Sequence, residues 1–235
     1  MNLGQFRTKI ASEIGVGSKA DGSGSEQTVV DDAINRAVQR VLEDTHCYVK
    51  EIDYTGWDGT SQNYTLDAAI LEIVEVQLSS TGVTYPLERL SIIDLLERRR
   101  QGQTSGTPSR YYSVQGANML MFYPAPGSGD TLTTYVVPVP TALAAQSDDP
   151  STTTMGGIPE ILHEAIFLYA CSQIGSYDDD QTSAQGQRYR DWYDKEITRY
   201  KTILRKRGGT RNARAVVNDK RRRRTMHDNS TYPRY

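Results

Sequence analysis

Few residues in this chain invite chemistry. His163-Glu164 falls in a helical pattern and begins a zinc-hydrolase motif, in which a second His four residues after the first turns both imidazoles toward one metal. That position is Phe167, so the ligand pair is absent and no metal site is read. His46 stands beside Cys47, but a nucleophile needs an imidazole placed in space and a third group to orient it. The chain holds three His and two Cys, with Cys47 and Cys171 too far apart in sequence to signal a disulfide framework or a zinc cluster. Gly15-Val-Gly17-Ser-Lys19 looks faintly like a phosphate loop, but it lacks the spacing and a helix precedes it, so it reads as a linker. Asp178-Asp-Asp180 lacks the alternating oxygen ligands and closing Glu of a calcium loop and reads as a solvated helix connection. A carboxylate pair for glycoside hydrolysis is defined by separation in space, and the sequence singles out none. The expectation is a protein that is not an enzyme and carries no cofactor and no metal.

The clearest signal is electrostatic. Net charge is −2, but residues 206–235 hold ten Lys/Arg against two Asp/Glu, while the rest holds 17 bases against 27 acids. An acidic body therefore carries a basic arm. The body does not suit gripping a phosphate backbone, which needs positive charge to release counterions. The arm, Gly208 to Tyr235, contains Lys220-Arg221-Arg222-Arg223-Arg224. Such a run serves nucleic acid, an acidic protein surface or solvent, and its composition alone favours disorder. Ala213, Val216 and Val217 before the charges, and Tyr232 and Tyr235 after them, offer anchors for a protein groove. Docking on a partner protein is the preferred reading, with Val216, Val217, Lys220 to Arg224, Tyr232 and Tyr235 as contact residues.

A length of 235 residues suits one large domain or two small ones. The 15 Tyr against 3 Phe and 2 Trp suit surfaces that become buried on assembly. No secretory signal opens the chain and no apolar run of about 18 residues crosses a bilayer, so no membrane partner is expected. Synthesis in a reducing cytoplasm is expected, with an extracellular particle open as the final location.

Helical elements lie at both ends. Leu3, Phe6, Ile10 and Ile14 give a short first helix, and Gly15 to Gln27 a loop. A second helix spans about Thr28 to His46, with Asp31 and Asp32 in its first turn. Late in the chain, Pro159 sits as a first helical residue beside Glu160, and Ile161, Leu162, Ala165, Ile166, Leu168, Tyr169 and Ile174 follow at helical spacing. After the polar break Ser176 to Ser183, Tyr189, Trp192, Tyr193, Ile197, Tyr200, Ile203 and Leu204 form one stripe three or four residues apart. Tyr189, Trp192, Tyr193, Ile197 and Tyr200 are read as packing between helices or subunits. Together these two make a helical hairpin that needs further helices, or further subunits, to cover it.

Between the helical ends the period becomes two. Strands are predicted over Tyr48–Thr55, Asn63–Leu66, Ile70–Ser79, Val83–Tyr85, Arg110–Gln115, Asn118–Tyr123 and Thr131–Val139, with Trp57-Asp-Gly-Thr and Thr81-Gly82 as turns. A short helix capped by Ser91, with Asp94 three residues on, ends in Arg98-Arg-Arg100. The predicted class is α+β. A helical bundle from 1–46 and 157–207, with N-terminal helices and a long C-terminal hairpin, carries an inserted antiparallel β-module at 47–156. An extended basic arm occupies 208–235.

Four runs in this layout carry a resemblance: Gly106-Thr-Pro-Ser-Arg-Tyr-Tyr112, Met119-Leu-Met-Phe-Tyr-Pro-Ala-Pro126, Leu132-Thr-Thr-Tyr-Val-Val137 and Ile158-Pro-Glu-Ile-Leu-His163. Their order and spacing resemble the head-to-tail connector proteins of tailed bacteriophages, the adaptor, head-completion or tail-tubular type. The resemblance implies a ring, typically dodecameric, in the virion neck beneath the portal protein, surrounding the channel for double-stranded DNA. It implies contacts with portal, with a tail or nozzle protein and with copies of the chain, the arm reaching portal or a neighbouring subunit. An acidic lumen would let DNA pass without sticking. Two other readings stay open: a nucleic-acid-binding packaging protein acting through the arm, and a virion-associated cell-wall hydrolase.

Overall fold

The computed structural model describes residues 1–14, 25–55, 57, 60–66, 70–102, 109–116, 119–175 and 180–207. The basic arm, the loop read as Gly15 to Gln27 up to residue 24, Asp178 and Asp179 lie outside these residues. The described elements comprise five α-helices and two four-stranded sheets, an α+β protein.

Helices α1 (Leu3–Ile14) and α2 (Ser25–Thr45) precede the sheets, and α4 (His163–Ile174) and α5 (Asp180–Arg207) follow them. The organising helix is α4. Its side chains His163, Ala165, Ile166, Phe167, Leu168, Ala170, Cys171 and Ser172 are all buried, so most of its circumference is covered, while Glu164 stays exposed. Helices α1, α2 and α5 all pack against it. Leu3, Phe6 and Ile10 of α1, Ile34, Val38, Val41 and Leu42 of α2, and Tyr193 and Ile197 of α5 complete the cluster.

Three helix boundaries differ from the sequence reading. Pro159 is extended (φ −58°, ψ 144°) ahead of a 3₁₀ turn, Glu160–Leu162, and α4 starts only at His163. The ring therefore supplies a fixed φ to the approach rather than to the α-helix itself. Helix α5 begins at Asp180, so the last four residues of the predicted polar break are helical. Helix α2 begins at Ser25, which moves Asp31 beyond the first turn. Asp31 accepts two bonds from the buried Arg7, Nε to Oδ1 at 2.7 Å and Nη2 to Oδ2 at 2.6 Å, clamping α1 to α2.

The sheets are β1 (Lys50–Tyr54), β8 (Thr131–Pro138), β3 (Ile70–Ser80) and β4 (Val83–Pro86) in one, and β2 (Asn63–Thr65), β7 (Met119–Tyr123), β6 (Tyr111–Gln115) and β5 (Glu88–Arg89) in the other. They share a second core of Trp57, Leu66, Ile73, Val76, Leu78, Leu120, Phe122, Leu132 and Val136. One pair departs from the antiparallel expectation: β5 runs parallel to β6, placing Glu88 opposite Tyr111. Two residues carry too short a pattern for strand β5 to be read from sequence. Helix α3 (Ile92–Arg100) has the predicted cap, Ser91 Oγ accepting from Asp94 N at 3.1 Å. Its basic end also attaches it to a sheet, with Arg98 4.2 Å above the Tyr111 ring and Arg99 Nη2 donating to Phe122 O at 3.1 Å.

The return segment after β8 is tied to the first two helices. Asn35 Oδ1 accepts from Leu143 N at 2.8 Å while its Nδ2 donates to Leu143 O, an amide imitating a strand neighbour. Leu3 N and Gly4 N, at the open start of α1, donate to Asp148 O and Gln146 O. Leu143 and Ile158 consequently sit in the helical core.

Gly175 and Gly186 let α4 and α5 close on each other. A Cβ on Gly186 would lie 3.1 Å from Gly175 C and 3.2 Å from Ser172 O. In an open helix Gly→Ala gains about 1 kcal/mol, whereas here the backbones must separate. Gly186→Ala should destabilise the chain by about 1–3 kcal/mol, read by denaturant unfolding; a stabilised variant would refute the close contact.

Candidate assembly surfaces

The aromatic stripe of α5 divides between inside and outside. Tyr189, Tyr193, Ile197 and Tyr200 are buried against the same chain, whereas Trp192 remains 48 % exposed and Leu204 39 %. Tyr193 is fully enclosed, and its hydroxyl donates to Asp44 Oδ2 at 2.6 Å. Asp44 also faces Arg40 Nε at 3.0 Å. Burial, then the hydrogen bond and charge of Asp44, push the Tyr193 hydroxyl well above the ordinary tyrosine range. Its ring meets Tyr169 edge-on at 5.1 Å, with Arg190 across both rings. Trp192 stands over Tyr189 at 5.6 Å and 86°, so its ring is held in place with one side toward solvent.

The groups that invited chemistry are engaged elsewhere. His163 is buried, with Nδ1 against the Met1 amino group and Nε2 3.1 Å from Ser151 Oγ. An ammonium can only donate, so Nδ1 accepts and the neutral ring carries its proton on Nε2. That nitrogen then donates to Ser151 and cannot take its proton as a general base. Burial, followed by the amino group's charge, lowers the His163 pKa. Phe167, where a second zinc ligand would stand, is buried beneath the Lys9 ammonium at 4.0 Å from the ring centre. His46 Nε2 meets Glu72 Oε2 at 2.9 Å, while burial pushes the Cys47 thiol up, away from its reactive thiolate. Cys171 lies in the α4 core, its thiol also pushed up by burial. Among the described residues no three His, Cys, Asp or Glu gather as a metal site would require. No described helix is long and apolar enough to cross a membrane.

A surface that sequence reasoning did not isolate lies on the first sheet. Register places Glu51 and Glu75 on either side of Tyr135, and Asp53 beside Thr133, whose Oγ1 donates to Asp53 Oδ1 at 2.6 Å. Glu51, Asp53 and Glu75 are exposed. Desolvation, then the negative field of Glu51, Glu75 and Asp53, raises the Tyr135 hydroxyl. The signal available was alternation: acids recur every second residue of β1, but their partners on β3 are set by long-range register. The predicted arm contacts, Val216, Val217, Lys220, Arg221, Arg222, Arg223, Arg224, Tyr232 and Tyr235, lie outside the described residues.

Among the described residues, a helical core of α1, α2, α4 and α5 carries two sheets and an outward aromatic on α5. The model of the SU10 adaptor protein family matches residues 1–219, and the chain belongs to that family. The resemblance drawn from residues 106–163 stands with it. No curated protein matches the chain. Among solved structures, one similar chain comes from the "Neck of empty GTA particle computed with C6 symmetry", at 12% identity and a TM-score of 0.25, covering 76% of this chain and 80% of that one.

Two outcomes test this chemistry. Tyr193→Phe should cost about 1 kcal/mol, the net worth of a hydrogen bond to a partly solvated carboxylate, measured by thermal or urea unfolding. Because the folded His163 pKa is lowered, stability should be intact above the ordinary value of 6.5 and fall as pH drops through 6.5 toward the folded value. His163→Gln should flatten that slope; an unchanged slope would assign it to other groups.

Proposed function

We propose that the protein is a structural head-to-tail adaptor of a tailed phage, acting mechanically and electrostatically rather than by catalysis. Membership of the adaptor family across residues 1–219 carries this reading, since it spans the helical core and both sheets rather than one motif. In the proposed arrangement the helical elements, 1–46 and 157–207, build a ring beneath the portal protein. The β-rich region, 47–156, faces the next tail component, and 208–235 reaches portal or a neighbouring copy. DNA passes through the ring, with a dodecamer as the working stoichiometry.

Local chemistry supports a non-catalytic role. His163, Cys47 and Cys171 serve packing and hydrogen bonding. An acidic body allows DNA to slide, because no counterions are released by contact. A half-exposed Trp held on a rigid helix is the kind of anchor that interfaces concentrate their energy on. Trp192 is therefore assigned to the contact between neighbouring subunits, and Tyr189, Tyr193, Ile197 and Tyr200 hold the helix that presents it.

The deciding measurement is the mass of the purified chain with and without its portal ring. Many copies should join each portal, few or none should associate alone, and failure to bind portal would overturn the reading. Trp192→Ser should leave unfolding within about 0.5 kcal/mol of the parent and lower the number of copies bound. Unaltered loading would remove Trp192 from the interface.

A further inference from the structure

The first sheet presents one face to the second core and turns the other to solvent. On that outer face, Glu51 of β1 and Glu75 of β3 flank Tyr135 of β8, and Asp53 and Gln77 flank Thr133. Strand spacing puts the flanking carboxylates about 10 Å apart. Among the described residues no Lys or Arg pairs with Glu51, Asp53 or Glu75, and Glu72 at the same edge meets only His46. Like charges two strands apart repel across the intervening strand, so a cation placed between them is attracted by both.

The same chain supplies one. Lys220 to Arg224 places five cations in consecutive positions; in an extended backbone alternate ones would fall on one side about 7 Å apart, the spacing of Glu51 and Asp53 two residues apart along β1. Reach is sufficient. Helix α5 packs beside Glu160–Leu162, and Gly157 lies against the Tyr48 ring just ahead of β1, so α5 runs toward the end of the helical core where this sheet begins. The twelve residues from 208 to 219 then span up to about 40 Å.

We propose that the outer face of β1, β8 and β3 is a docking surface for the polybasic segment Lys220 to Arg224 of the same chain. Tethering holds the segment at millimolar effective concentration, so the contact forms within one molecule before any between molecules. Docking neutralises this negative face and keeps the arm from nucleic acid until another partner displaces it. The contact belongs to the isolated chain and does not depend on the adaptor reading.

Zero-length carbodiimide cross-linking of the full chain tests this, using an equal mixture of light and ¹⁵N-labelled copies at about 50 mM salt. Lys220 should be joined to Glu51, Asp53 or Glu75 within one copy. Yield should fall about tenfold at roughly 0.5 M salt, where the Debye length shrinks to a few ångströms. It should fall similarly in the exposed-face variant carrying Glu51→Gln, Asp53→Asn and Glu75→Gln. Arg222→Lys supplies a second amine at the centre of the run, so a poorly placed Lys220 does not decide the result. Links to other carboxylates, links between light and heavy copies, links indifferent to the triple change, or none from either amine would each overturn the proposal.

Discussion

Enclosure of α4 is the constraint on which the rest of the structure depends. A helix with apolar or small side chains over most of its circumference gains its burial only when other elements surround it. Here α1 and α2 come from the start of the chain and α5 from its end. The sheets must therefore be an excursion that leaves and returns to one place. That requirement explains the care at the junctions: Asn35 gripping Leu143, the start of α1 closed by the carbonyls of Asp148 and Gln146, and Gly157 seated on Tyr48. It also explains the paired glycines between α4 and α5, where any side chain would hold the helices apart.

Enclosure decides the chemistry of the titratable groups as well. Desolvation disfavours the charged form, so the buried His163 is held toward neutrality and the Cys47 and Cys171 thiols away from thiolate. Groups that could have been base or nucleophile become donors and packing units. The Arg7–Asp31 pair is buried differently: two opposite charges meet in a two-bond clamp that satisfies both.

Charge is distributed by the same logic. Ions excluded from the two cores collect on the open sheet face and, with opposite sign, in the arm. A ring of such bodies would present negative walls to DNA and suffer repulsion between neighbours, which a basic extension between subunits would offset.

Periodicity was enough to find α1, α2, α3 and seven of the eight strands, since each carries a full local pattern of three-to-four or two. The missing strand, β5, has two residues and exists through its parallel partner β6. The α5 stripe was visible as Tyr189, Trp192, Tyr193, Ile197 and Tyr200, but which of them faces outward depends on where α2 and α4 lie, and only Trp192 does. Arg7, Asn35 and Gly186 gave no sequence signal, and the Glu51–Tyr135–Glu75 row only the alternation of acids along β1, because each acts on a partner distant along the chain. Local hydrophobic spacing and net charge, properties of consecutive residues, were determined by the sequence alone. Strand register, helix-to-helix approach and the side of a helix left wet were decided by tertiary structure, because they are relations between segments that only the enclosing of α4 brings together.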